Sequence, residues 1–163
     1  MNARITALAA EVNALLRGLG FTLSTAESCT GGGVAAAITS CSGSSDVFKG
    51  SVVAYANEIK SSVLAVPESI LTEYGAVSEA TVLAMAAGVS SLMKTDCAVA
   101  TSGIAGPGGG TDEKPVGTVW VAAVVAGTLS ATLLQLPDRG RDENIKATII
   151  NVLEFLKRKL LEL

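Results

Sequence analysis

Three residues of this 163-residue chain have the types and setting for covalent chemistry: Ser28, Tyr55 and Lys60. Ser28 stands in Glu27-Ser28-Cys29-Thr30-Gly31-Gly32-Gly33, between the strand-like run Phe21–Ala26 and the apolar run Val34–Ile38. A strand, a tight glycine turn and a helix start in succession expose a hydroxyl and aim backbone N–H groups at a developing oxyanion. The same placement also describes an ordinary helix N-cap, a role serine fills well. Tyr55 and Lys60 flank the end of one strand and the start of a helix. A desolvated lysine amine has a lowered pKa and, once neutral, can activate a serine. A tyrosine beside it could pass the proton or hold the amine. The alternative is a solvated helix face shared by Lys60 and Glu58, with Tyr55 a strand-end aromatic.

The chain contains no histidine. Ser-His-Asp and Cys-His mechanisms are therefore excluded, as are His-ligated metal sites. A hydrolytic general base must come from Lys, Asp, Glu, Tyr or water. Cys29, Cys41 and Cys97 are odd in number and lack C-x-x-C spacing. They read as small buried hydrophobes in a reduced compartment, not as a disulfide framework or thiolate metal site. Glu27 and Asp46 are read as structural or supporting residues.

A second glycine-rich turn runs Ser102-Gly103-Ile104-Ala105-Gly106-Pro107-Gly108-Gly109-Gly110. Turns of this kind at strand ends let backbone N–H groups approach an anion. Neither turn is a Walker A loop or a G-x-G-x-x-G fingerprint, and glycines also serve simply to permit positive φ.

The elements that must position these residues follow from periodicity. Ile5, Leu8, Ala9, Val12, Leu15, Leu16 and Leu19 mark an amphipathic helix ended by Gly18 and Gly20. A strand is expected over Gly50–Ala54, a helix over Asn57–Leu64 closed by Pro67, and a helix from Ser78 to about Met93. Then come a strand over Cys97–Thr101, a hairpin of Thr118–Val125 and Ser130–Leu136 around a Gly-Thr turn, and a last helix from about Asp142 to Leu161. Strands alternating with helices and ending in a hairpin predict one α/β domain over 1–163. It is expected to be a three-layer α/β/α sandwich on a mixed, mostly parallel sheet with a C-terminal β-hairpin.

Composition narrows the functions further. Hydrophobic residues are 49% of the chain and charged residues 17%, which excludes a disordered chain. Folding should reduce the accessible surface from about 24,000 to about 7,500 Å², enough burial for a core without staples. The net charge is −3 with no basic run before the last helix, so duplex nucleic acid is not an expected partner. Arg4, Glu11 and Arg17 interrupt the N-terminus, which does not read as a signal peptide, and polar residues break the apolar stretch Val116–Leu136. A cytoplasmic protein without membrane contact is expected, and the apolar fraction favours a homo-oligomer.

Five segments together resemble a known family: Ala26–Gly32, Ala54-Tyr55-Ala56-Asn57-Glu58-Ile59-Lys60, Gly75-Ala76-Val77-Ser78, Ser102–Pro107 and Glu113–Trp120. They look like the motifs, in order, of the C-terminal domain of the competence/damage-inducible protein CinA, which also occurs alone as a nicotinamide-nucleotide amidase. The resemblance extends over roughly Ile5–Leu160. It implies a serine amidohydrolase that converts nicotinamide mononucleotide and water to nicotinate mononucleotide and ammonia, with no cofactor and no metal. It implies Ser28 as nucleophile, Lys60 as general base and Tyr55 as its helper. Substrate contacts are expected at Thr30, Gly31, Gly32, Ser102, Gly103, Ala105, Gly106 and Gly108. An arginine of Pro137-Asp138-Arg139-Gly140-Arg141 is expected to meet the phosphate; Arg141 is preferred over Arg139. The other readings are a non-catalytic nucleotide-binding domain and a competence-related protein-interaction domain.

Overall fold

The structure is a computed structural model that describes residues 1–163. Its elements follow in the order α1 (Ala3–Leu19), β1 (Leu23–Glu27), α2 (Gly33–Thr39), β2 (Phe48–Val53), α3 (Asn57–Ser62), α4 (Glu68–Tyr74), α5 (Glu79–Met93), β3 (Cys97–Gly103), β4 (Thr118–Val125), β5 (Thr128–Gln135) and α6 (Arg141–Leu161). The five strands form one sheet in the order β2-β1-β3-β4-β5. β1 pairs in parallel with β2 and β3, whereas the β3–β4 and β4–β5 pairs are antiparallel. Four strands therefore point one way and β4 alone points back.

Helices cover both faces of this mixed sheet. On one face α1, α2 and α6 share a core of 23 buried residues, including Leu8, Val12, Leu16, Ile38, Val121 and Leu153. Ion pairs Arg4–Glu154 and Glu11–Lys157 join α1 to α6 on the outer surface. The opposite face has only 12 buried core residues, many of them alanine, among them Ala26, Ala98, Ala100 and Ala122 beneath Met85 and Val89 of α5. Small side chains let helix and sheet approach closely here. At Gly88, on α5, an added Cβ would collide with the backbone carbonyl of Leu64, so this contact requires glycine.

Two local expectations change. The segment Glu68–Tyr74 forms a short helix that the hydrophobic pattern does not announce, because none of its residues is fully buried. The hairpin turn falls on Ala126 and Gly127, both with positive φ, and Thr128 is already the first residue of β5. That is the backbone of a two-residue turn whose twist matches the strands.

β1 and β3 are neighbours whose outgoing connections diverge, one toward the β2 edge and one toward β4. In open α/β sheets this is where a crevice opens at the carboxyl ends of the strands. Ser28 follows β1 directly, and Ser102 and Gly103 close β3.

Candidate active site

At the end of β1 the chain is held before it turns. The Ser28 N–H donates to the Thr101 carbonyl at 3.0 Å, extending the β1–β3 ladder by one residue. Gly31 and Gly32 follow with φ of 59° and 95°, left-handed values that a Cβ would strain. The N-cap of α2 is Gly32, which has no side chain to offer. The cap comes from Glu27 instead. Its fully buried carboxylate accepts from the N–H groups of Val34 and Ala35 at 2.8 and 2.9 Å and from the Thr30 hydroxyl at 2.6 Å. Weaker contacts from Thr25 and Ser51 at 3.3 and 3.4 Å complete its shell. The N-cap reading of Ser28 therefore fails, because a carboxylate at the helix's positive end already serves those donors. The Ser28 hydroxyl is left for another partner.

That partner is Lys60. Its Nζ lies 3.1 Å from Ser28 Oγ, 2.9 Å from the Ala54 carbonyl oxygen and 3.2 Å from that of Tyr55. Lys60 is 1% exposed, among the most deeply buried large side chains in the molecule. The solvated-face reading is overturned: α3 turns this residue inward, under the end of β2, and Glu58 stays outside. No carboxylate pairs with the amine. Burial lowers its pKa from the ordinary 10.5, opposed only by the nearby Cys29 thiol. A neutral amine has two N–H donors and one lone pair. In that form, with the two carbonyls taking the donors, the lone pair would face the serine hydroxyl. Cys29, next to Ser28, is itself desolvated and its thiol is pushed up to about 11, which keeps it protonated at neutral pH.

Ser28 and Lys60 open onto a cavity of about 200 Å³. Tyr55, Ser102, Gly103, Ala105 and Arg141 also line it, so the structure gathers residues from both glycine turns and from the start of α6. Cys29, Asn57, Ala76 and Val77 complete the wall; none of them was given a site role from the sequence. The Gly75–Ser78 motif was visible, and its position is now explained. The Ser102 hydroxyl donates to the Ala76 carbonyl at 2.7 Å, which pins that loop over the cavity. No carboxylate lines the wall, whereas a lysine and an arginine do. The arrangement suits a neutral carbonyl group beside an anion.

Tyr55 does not meet Lys60 through its phenol. The phenol oxygen accepts from Arg141 Nη2 at 2.9 Å, while Arg141 Nη1 donates to the Gly106 carbonyl at 2.7 Å. Arg141 is the arginine that reaches the cavity. Arg139 lines a separate groove with Asn2 and Pro137, and its backbone N–H donates to Asn144 Oδ1. Asn144, one helical turn beyond Arg141 and 2% exposed, donates to the Ala105 carbonyl at 3.0 Å. It was missed because an asparagine at the start of a helix has no sequence pattern distinguishing a tether from a surface residue.

Other expected contacts lie outside the wall. Thr30 is buried against Glu27 and Thr101 through its hydroxyl. The Gly31 N–H is bonded to the Ser28 carbonyl at 3.0 Å, while no acceptor meets the N–H groups of Cys29, Thr30 and Gly32. Gly106 contributes its carbonyl to Arg141, and Gly108 stands at the exposed tip of the second turn. Asp46 pairs with Arg17 on the surface, 3.7 Å away. No group of three His, Cys, Asp or Glu side chains is placed to hold a metal ion. No helix is long and apolar enough to cross a membrane.

Residues 5–160 match the model of the CinA C-terminal domain. The chain belongs to the CinA C-terminal domain family. A CinA-like protein of Parasynechococcus marenigrum is 51% identical over 94% of this chain, and one of Synechocystis is 50% identical over the same share. The chain spans 37% of the length of each of these relatives. Among solved structures, the competence/damage inducible protein CihA from Agrobacterium tumefaciens superposes with a TM-score of 0.93 at 42% identity, covering 96% of this chain and 95% of that one. A CinA superfamily protein from Klebsiella pneumoniae superposes with a TM-score of 0.94 at 34% identity over the whole of both chains. The α/β architecture described above is thus the architecture of the CinA-type domain.

Proposed function

We propose that this CinA-type domain is a serine amidohydrolase that converts nicotinamide mononucleotide and water to nicotinate mononucleotide and ammonia. The observation that carries the reading is the buried, carboxylate-free Lys60 amine 3.1 Å from Ser28 Oγ, with both its remaining donors held by backbone carbonyls. A buried lysine with no carboxylate partner and a hydroxyl at hydrogen-bond distance beside a cavity is the setting in which an amine is tuned for proton transfer.

The chemistry follows from the geometry. Neutral Lys60 takes the Ser28 proton as Oγ bonds to the carboxamide carbon. The free N–H group of Cys29, on the cavity wall beside Ser28, receives the oxyanion; removing such a donor costs about 3–4 kcal/mol. The Lys60 ammonium then returns its proton to the departing nitrogen, the C–N bond breaks, and ammonia leaves an acyl-Ser28. Water gives a proton to Lys60 as its oxygen bonds to the acyl carbon; the Lys60 ammonium then returns that proton to Ser28 Oγ as the acyl C–Oγ bond breaks, and the acid leaves and ionises to the carboxylate. The cavity of about 200 Å³ beside Ser28 is the place for the pyridine carboxamide in this reading. The ribose and phosphate extend toward Arg141, away from the acyl carbon.

The test is ammonia release from nicotinamide mononucleotide by the wild type, Ser28→Ala and Lys60→Ala side by side, with folding checked by circular dichroism. Release by the wild type and its loss in both variants is the expected result. Near-normal release by either variant overturns the dyad, and no release by the wild type overturns the substrate.

A further inference from the structure

We propose that Tyr55 is a positioning residue that holds the Arg141 guanidinium for an anionic group of the ligand, and that its phenol takes no part in moving the serine proton. This rests on the deamidase reading and assigns the tyrosine a different role from that of a helper to the lysine. Three observations support it. The Lys60 nitrogen already has three oxygen partners, Ser28 Oγ and the carbonyls of Ala54 and Tyr55, so the tyrosine serves the amine through its backbone, which any residue supplies. The phenol oxygen accepts from Arg141 Nη2, and the Gly106 carbonyl accepts from Nη1, so the guanidinium is fixed at both terminal nitrogens. No carboxylate neutralises it: Arg141 forms no ion pair within 4.0 Å, and the cavity wall contains no Asp or Glu.

An unneutralised guanidinium pinned in orientation retains N–H donors for an incoming anion. The phenol has accepted from the arginine and keeps its own O–H to donate. Together they offer a cation and a neutral donor side by side, which matches a phosphate monoester. Pinning also removes rotamer freedom that binding would otherwise have to remove. Tyr55 itself is 60% exposed, so its phenol can be altered without opening the core.

The experiment compares Tyr55→Phe with the wild type in two assays. In turnover of nicotinamide mononucleotide, the variant should raise KM by about three- to tenfold, the effect of losing one charge-assisted hydrogen bond. kcat and the acid limb of its pH profile should stay with the wild type. In calorimetry on the Ser28→Ala protein, Tyr55→Phe should weaken nicotinamide mononucleotide by a similar factor and leave the phosphate-free nicotinamide riboside alone. It should add nothing further once Arg141 is alanine. A tenfold or greater fall in kcat with a displaced acid limb overturns the proposal in favour of a proton-transfer phenol. Equal weakening of the riboside, or additive effects with Arg141→Ala, overturns it as well. Binding without ammonia release by the wild type would remove the deamidase reading, and the calorimetric cycle would still decide Tyr55. Absence of any nucleotide binding would remove both.

Discussion

The two glycine-rich turns leave the carboxyl ends of adjacent parallel strands, yet they are built in opposite ways. The turn after β1 is enclosed: Ser28, Cys29 and Thr30 are buried, and a buried carboxylate ties the helix start back to the strand. The turn after β3 runs out into solvent, with Pro107–Glu113 exposed; Arg141 and Asn144 bond the carbonyls of Gly106 and Ala105 at its base, Ile104 and Gly117 pair across it, and Lys114 donates to the Tyr74 carbonyl from its returning arm. The first turn holds the Ser28 hydroxyl beside the Lys60 amine. The second offers the Gly106 carbonyl, to which Arg141 at the start of α6 is tied beside the cavity. Abundant glycine signalled both turns, but glycine only permits a backbone path; the partners around it decide whether that path is rigid.

The sharpest way to break the contrast is at the first turn. Ser28→Ala should lower kcat for ammonia release by on the order of 10⁴-fold or more while leaving the melting temperature within a few degrees. Lys60→Met should cost on the order of 10³-fold, read in the same assay. Because burial lowers the lysine's folded pKa below 10.5, wild-type activity should rise with pH through that lowered pKa. Stability should move the same way. Between the lowered folded pKa and 10.5 the unfolded chain holds the extra proton, so wild-type stability climbs with pH across that window. Below it the cost of a buried ammonium is fully present, and Lys60→Met, which removes that cost, should gain most there by denaturant titration.

Smaller effects test what supports each turn. Glu27→Gln replaces an acceptor oxygen by an NH₂ group facing the N–H of Val34 or Ala35, and should cost about 2–3 kcal/mol of unfolding free energy. Arg141→Ala should raise KM for the nucleotide about 10- to 100-fold with a lesser change in kcat, consistent with loss of a contact to a remote charge. Gly108→Ala, at a position with ordinary φ and open space around its Cα, should change stability by no more than about 0.5 kcal/mol. A large loss there would mean the second turn is as rigid as the first.

Much of the scaffold was legible because hydrophobic periodicity reports burial directly. The Ile5–Leu19 stripe, the Cys97–Thr101 run and the Thr118–Leu136 hairpin all appear close to their expected places. The helix Glu68–Tyr74 was not legible, since a helix with no fully buried residue leaves no stripe. At the site, residue types alone also allowed a capping Ser28 and a solvent-facing Lys60. Both alternatives fail on partners that residue types do not reveal: Glu27 takes the cap from the other side of the turn, and the short helix α3 rolls the lysine beneath the end of β2.

The sequence by itself determined the chemical vocabulary of this protein, because composition is independent of folding. Without histidine, a serine has few side chains that could activate it, and two strand-end glycine turns mark where a ligand can approach backbone. Tertiary structure alone decided which hydroxyl faces which amine, which arginine reaches the cavity and which partner the phenol takes. Those outcomes depend on distances between residues up to 86 positions apart, as between Tyr55 and Arg141. They also depend on the exclusion of water around Lys60, which no local pattern encodes, because desolvation is produced by the whole packed layer and not by the residue's neighbours in the chain.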